Sequence, residues 1–166
     1  MAEPQQGSDA KPTRNPAGAV HGTVLAGALI AAQGAHEPVD ISRLITLVFL
    51  TQILYWLAHV YAELVGRRVL ARTRLCGREM RHLLAEEWPL VGASFGPLAV
   101  VALADLLGAG GNAAVLAGLW ATTVILVGWT VLAGLRSRLR LLELLLYVSI
   151  SAGLGISLVV LKVLVH

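Results

Sequence analysis

Charge is scarce in this chain. Asp, Glu, Lys and Arg make up only 14% of its 166 residues, against about 25% in a soluble domain. Too few polar side chains exist to wrap a water-facing core, which excludes a soluble globular domain. Cysteine is nearly absent. Cys76 stands alone, closes no internal disulfide, and with His82 nearby still makes no metal site. Lysine is almost missing too: of 13 basic residues only Lys11 and Lys162 are lysines. The arginines adjoin apolar runs rather than a polar face, so the net charge of +3 does not mark a nucleic-acid partner. A phosphate loop and an HxxH or HExxH pair are also lacking, and no two histidines have a spacing that suggests haem ligation. No enzymatic activity and no cofactor are expected.

Apolar sequence fills the space that charge leaves. Hydrophobic residues reach 57% and mean hydropathy is +0.74. They fall into stretches at Ala17–Gln33, Ser42–Gly66, Trp88–Leu107, Ala113–Leu135 and Leu141–Leu164. A bilayer core about 30 Å thick takes about 20 helical residues at a 1.5 Å rise. The last four stretches meet that length and the first is marginal. The first, preceded by Lys11 and Arg14 and ending at Ala32-Gln33-Gly34, has some look of a cleaved leader. The long tail with acids before it favours a retained span. The expected fold is therefore all-α: a polytopic integral membrane bundle of five transmembrane helices over residues 17–166, in the plasma membrane. A Pro-, Gln- and Gly-rich tail at 1–16 reads as disordered.

Arginine placement predicts the orientation. Arg67, Arg68, Arg72, Arg74, Arg78 and Arg81 follow the second stretch, and Arg136, Arg138 and Arg140 follow the fourth. Basic loops stay cytoplasmic, which puts the N-terminus inside and the C-terminus outside. The loop at 67–87 is too polar to span. Val69, Leu70, Leu75, Met80, Leu83 and Leu84 predict a short surface helix there, interrupted at Gly77, with its arginines on anionic lipids. Lys162, near the outer end of the last stretch, is expected to snorkel to the interface.

Small residues recur at helical spacing: Gly18, Gly22 and Ala26; Gly92 and Gly96; Ala114, Gly118 and Thr122; Ser149, Gly153 and Ser157, with Ser151 and Gly155 beside them. Lipid is as apolar as Leu, so spans associate through such faces. They predict a tight bundle, with a face left for a second copy. Pro89 and Pro97 read as kinks or first-turn residues of the third span.

The most suggestive pattern is Gln52, Tyr55, His59 and Glu63, spaced to share one face of the second span. Ionisable groups inside a span are costly and turn toward the bundle interior, a partner or water. His21, Glu87 and Glu143 fall at a similar depth, while Asp105 stands at the opposite end. Three uses compete. The groups can be hydrogen bonds that fix the bundle. They can form a proton or cation path, since imidazole changes charge near physiological pH, with His59 and Glu63 central and Gln52, Tyr55, His21, Glu143 and Asp105 along it. Or His21, His59, Glu63 and Glu143 can surround a metal ion, although no ligand-spacing motif supports that.

The stretches His21-Gly22-Thr23-Val24-Leu25, Tyr55-Trp56-Leu57-Ala58-His59-Val60-Tyr61-Ala62-Glu63 and Glu86-Glu87-Trp88-Pro89-Leu90-Val91 resemble small multi-span membrane proteins of actinobacteria that have no assigned activity. The resemblance covers most of the chain after the tail. It implies a membrane location and no substrate. The expected function is a small channel or transporter for protons or cations, acting as a homo-oligomer. The alternative is a non-catalytic subunit or assembly factor whose polar face meets another membrane protein.

Overall fold

The computed structural model describes residues 16–35, 38–71, 77–137 and 139–165. Residues 1–15 of the expected tail lie outside the described residues. So do Cys76, Arg138 and the side chains of Arg67, Arg68, Arg72, Arg74 and Arg78. The described residues form helices and their connections: α1 (Pro16–Gln33), α2 (Ile41–Ala71), α3 (Gly77–Glu86), α4 (Trp88–Gly92), α5 (Phe95–Leu106), α6 (Gly111–Arg136) and α7 (Leu141–Val165).

Four segments are long and apolar enough to cross a membrane: Ile41–Gly66, Met80–Leu106, Gly111–Arg136 and Leu141–Leu164. The expected count was five. The apolar part of α1, Gly18–Gln33, is shorter, and the 18 residues of α1 rise only about 27 Å against a core of about 30 Å. The candidate Met80–Leu106 also starts earlier than the expected Trp88. It takes in the second half of α3, so the polar segment at 67–87 contains the end of α2 and a helix beginning at the very Gly77 expected to interrupt one.

Two helix starts explain acidic residues. Asp40 precedes α2 and its Oδ1 accepts the Arg43 N–H at 3.0 Å. This is an N-cap contact that satisfies one of the donors a helix start leaves free. Glu143, in the first turn of α7, reaches back so that its Oε2 accepts the Arg140 N–H at 3.1 Å, one half of a capping box. Both carboxylates also sit where the helix dipole favours negative charge.

The candidate span Met80–Leu106 is broken at Ala93–Ser94, between α4 and α5. Pro89 and Pro97 both fall in first turns, of α4 and α5, where a missing N–H costs no helix bond. At the break the Ser94 N–H and the Ser94 hydroxyl both donate to the Val91 carbonyl, at 3.1 and 2.7 Å. The chain thus turns without stranding its buried serine.

Side-chain contacts set the register. Gly27 faces Thr122 and Gly34 faces Val115, so α1 and α6 run antiparallel. Phe49 meets Phe95 and Trp56 meets Trp88, so α2 runs antiparallel to the third span. Gly155 faces Thr123 and Gly134 faces Leu144, which fixes α6 against α7. The short α1 occupies the centre and touches α2, α4, α5, α6 and α7. Its small residues permit this. A Cβ on Gly22 would stand 2.1 Å from the Leu90 carbonyl oxygen, and one on Gly27 would stand 2.6 Å from Thr122. Ala26, Ile30, Val48, Val101, Ala114, Val115 and Leu119 complete a fully buried core. On α7 the stripe used for packing is Ser151 and Gly155; the stripe Ser149, Gly153 and Ser157 faces outward.

Candidate functional site

The polar groups gather near the start of α1, the middle of α2 and the start of α4. His21 lies in the second turn of α1. Its Nε2 and the Tyr55 hydroxyl of α2 are 2.7 Å apart, with the two rings stacked at 5.5 Å. One turn further along α2, the Tyr55 and His59 rings are near-parallel with centroids 6.4 Å apart. His59 Nε2 then reaches Glu87 Oε2 at 3.4 Å. The Glu87 backbone stands at the N-cap position of α4. The result is a row of four side chains on three elements: His21, Tyr55, His59 and Glu87.

The row depends on local sequence: Tyr55 and His59 are four residues apart on one helix, so they stack on one face. Exposure differs along the row. The side chain of Glu87 is 16% exposed and that of His59 is 44% exposed. His21 is exposed and Tyr55 half-buried. The row therefore follows the outer surface of the bundle rather than a central channel. His21 and Tyr55 share a hydrogen bond and His59 lies within ion-pair reach of Glu87, so each pair can hold a proton, while Tyr55 and His59 meet through their rings.

The expected residues separate into groups. His21, Tyr55 and His59, expected at one depth, are brought into contact, and Glu87 lies beside His59. Glu63 stands one turn beyond His59 on α2, exposed. Gln52 shares the α2 face yet turns into the protein. It is fully buried and its Nε2 donates to the Gly22 carbonyl at 2.9 Å. Glu143 is engaged in capping α7. Asp105 is exposed in the last turn of α5, at the far end of the candidate span that contains Glu87. Among the described residues, no group of three or more His, Cys, Asp or Glu side chains could hold a metal ion, so the metal arrangement of His21, His59, Glu63 and Glu143 is not formed.

Two residues were missed from sequence. Lys162 does not snorkel: it is 3% exposed, and its ammonium donates to Asn112 Oδ1 on α6. The signal was its i+4 relation to Leu158, which packs against α1. The second is Ser94, in Gly92-Ala93-Ser94-Phe95-Gly96, a Gly-x-Ser-x-Gly spacing. In hydrolases that motif exposes a serine between a strand and a helix. Here it is the break in a helical span, and Ser94 is fully buried with its hydroxyl given to Val91, so it is no nucleophile.

No protein-family model, curated protein or solved structure matches this chain.

Proposed function

We propose that this protein is a small membrane channel or transporter for protons or cations. In this reading α1 is a fifth, short span, the N-terminus is cytoplasmic and the membrane is the plasma membrane. One observation carries it: His21, Tyr55, His59 and Glu87 form a row of proton-exchanging side chains at one end of an apolar bundle. Groups of that kind are costly in a bilayer and mark ion and proton pathways. His59 is the central member, because it alone adjoins both Tyr55 and a carboxylate. Glu63 extends the same α2 face toward the cytoplasm, and Asp105 is the candidate at the outer end. Because the row lies on the surface of one chain, the path runs between copies in a homo-oligomer, where the row meets water instead of lipid.

The outward row also favours a second reading. A non-catalytic subunit or assembly factor would cover the same face with a different membrane protein. The test is proton and K⁺ flux through purified protein in liposomes with a pH-sensitive dye. Flux that is lost in His59→Ala supports transport. Inert, folded and correctly inserted protein, with a second protein co-purifying from the membrane, supports the subunit.

A further inference from the structure

Two buried polar atoms, among the described residues, have no hydrogen-bond partner: Gln52 Oε1 and Trp56 Nε1. Both belong to α2 and they are four residues apart, so they lie one turn from each other on one helical face. Their chemistry is complementary. An amide oxygen only accepts and an indole N–H only donates. We infer that Gln52 and Trp56 hold one water molecule between them, which donates to Gln52 Oε1 and accepts from Trp56 Nε1.

Neither side chain can turn away to find another partner. Gln52 is fully buried, and its other amide atom is committed to the Gly22 carbonyl at 2.9 Å. Reversing the amide would set oxygen against oxygen, so Oε1 must remain the free end. The Trp56 indole is held edge-on against Trp88, with ring centroids 5.5 Å apart and planes at 87°. Both polar atoms are shut off from solvent, and neither has a donor or acceptor in reach among the described residues. Leaving both groups dry is the unfavourable alternative. A single water with two opposite partners answers it, and buried waters in proteins occupy sites of this kind.

The site adjoins the polar row. Gln52 bonds to the Gly22 carbonyl, and His21, the next residue back, bonds to Tyr55. The water site thus lies one residue along α1 from the His21–Tyr55 bond, and its use as an extension of the row rests on the proposed transport function.

The test is water-edited NMR on ¹⁵N-labelled protein in lipid bilayers, read at the indole N–H of Trp56 and assigned with Trp56→Phe. Magnetisation transfer from a long-lived water to that proton is expected. It should disappear in Gln52→Met, which keeps the side-chain length and removes the acceptor. No transfer in the wild type would overturn the inference, whether the pair is dry or bonded directly. Transfer that persists undiminished in folded Gln52→Met would also overturn it, because the water would then be held elsewhere. Should that variant not fold, the wild-type result decides alone. Flux is measured separately. A hydrated site in an inert protein defeats only the transport reading; a dry site in a conducting protein defeats only the water.

Discussion

His59 on α2 faces Glu87 at the start of α4, Nε2 to Oε2 at 3.4 Å, across a helix contact held in register by the Trp56–Trp88 and Phe49–Phe95 pairs. Two helices that share no loop of direct connection thus present their titratable ends to each other. The pair is half in water, so its worth to stability is small and its value is positional.

Glu87→Gln should lower flux by about 100-fold, the scale of losing one proton-transfer group, while changing unfolding stability by no more than about 1 kcal/mol. Liposome flux and thermal unfolding of the same sample check both halves. Large destabilisation instead would make Glu87 a structural residue.

Tyr55→Phe removes one hydroxyl and keeps the ring that stacks between His21 and His59. It should cost about 1 kcal/mol through the lost bond to His21. If protons pass along the row, flux should fall in proportion far more than stability does. Comparing the flux ratio with the melting shift separates the two contributions.

Glycines should divide by what a Cβ would meet. Gly22→Ala places a methyl against the backbone of Leu90, which cannot give way as a flexible side chain can. It should cost about 2–3 kcal/mol. Gly128→Ala, mid-α6 with nothing within 4 Å, should be neutral or stabilise by about 0.5 kcal/mol. Thermal unfolding in detergent reads both.

Lys162 should be sensitive to its partner more than to its own presence. Asn112→Leu leaves a buried ammonium without its acceptor and should cost about 2–3 kcal/mol. Lys162→Met removes charge and donor together, keeps the stem, and should cost less than about 1 kcal/mol. Reversal of that order in unfolding measurements would show that the amine itself holds α7 to α6.

Glu143→Ala should leave flux unchanged, since its carboxylate caps α7. Stability should fall by about 0.5–1 kcal/mol. Flux loss without a stability change would return Glu143 to the pathway.

Much of this was local and therefore legible. Length and hydropathy of a segment depend only on its own residues, so the spans at Ser42–Gly66, Ala113–Leu135 and Leu141–Leu164 coincide closely with the observed candidates. The shared face of Gln52, Tyr55 and His59 follows from helical spacing alone. First-turn placement of Pro89 and Pro97 follows from their missing N–H groups. The sequence by itself determined an apolar, helical chain suited to a membrane.

Everything that required one helix to choose its neighbour was decided by tertiary structure. Gln52 and His59 occupy one face of α2, yet the first donates to the Gly22 carbonyl of α1 and the second meets Glu87 at the start of α4, because different helices stand opposite α2 at the two levels. On α7 two equivalent small-residue stripes were available, and only Ser151–Gly155 found Thr130 and Thr123 opposite it. Lys162 became a buried residue because Leu158, one turn earlier, packs on Gly27 and carries that face inward. The short helix α1 took the centre for the same reason: its small residues allow several neighbours at once. Periodicity says which residues share a face, but the neighbour that covers it depends on shape matching between segments distant in sequence.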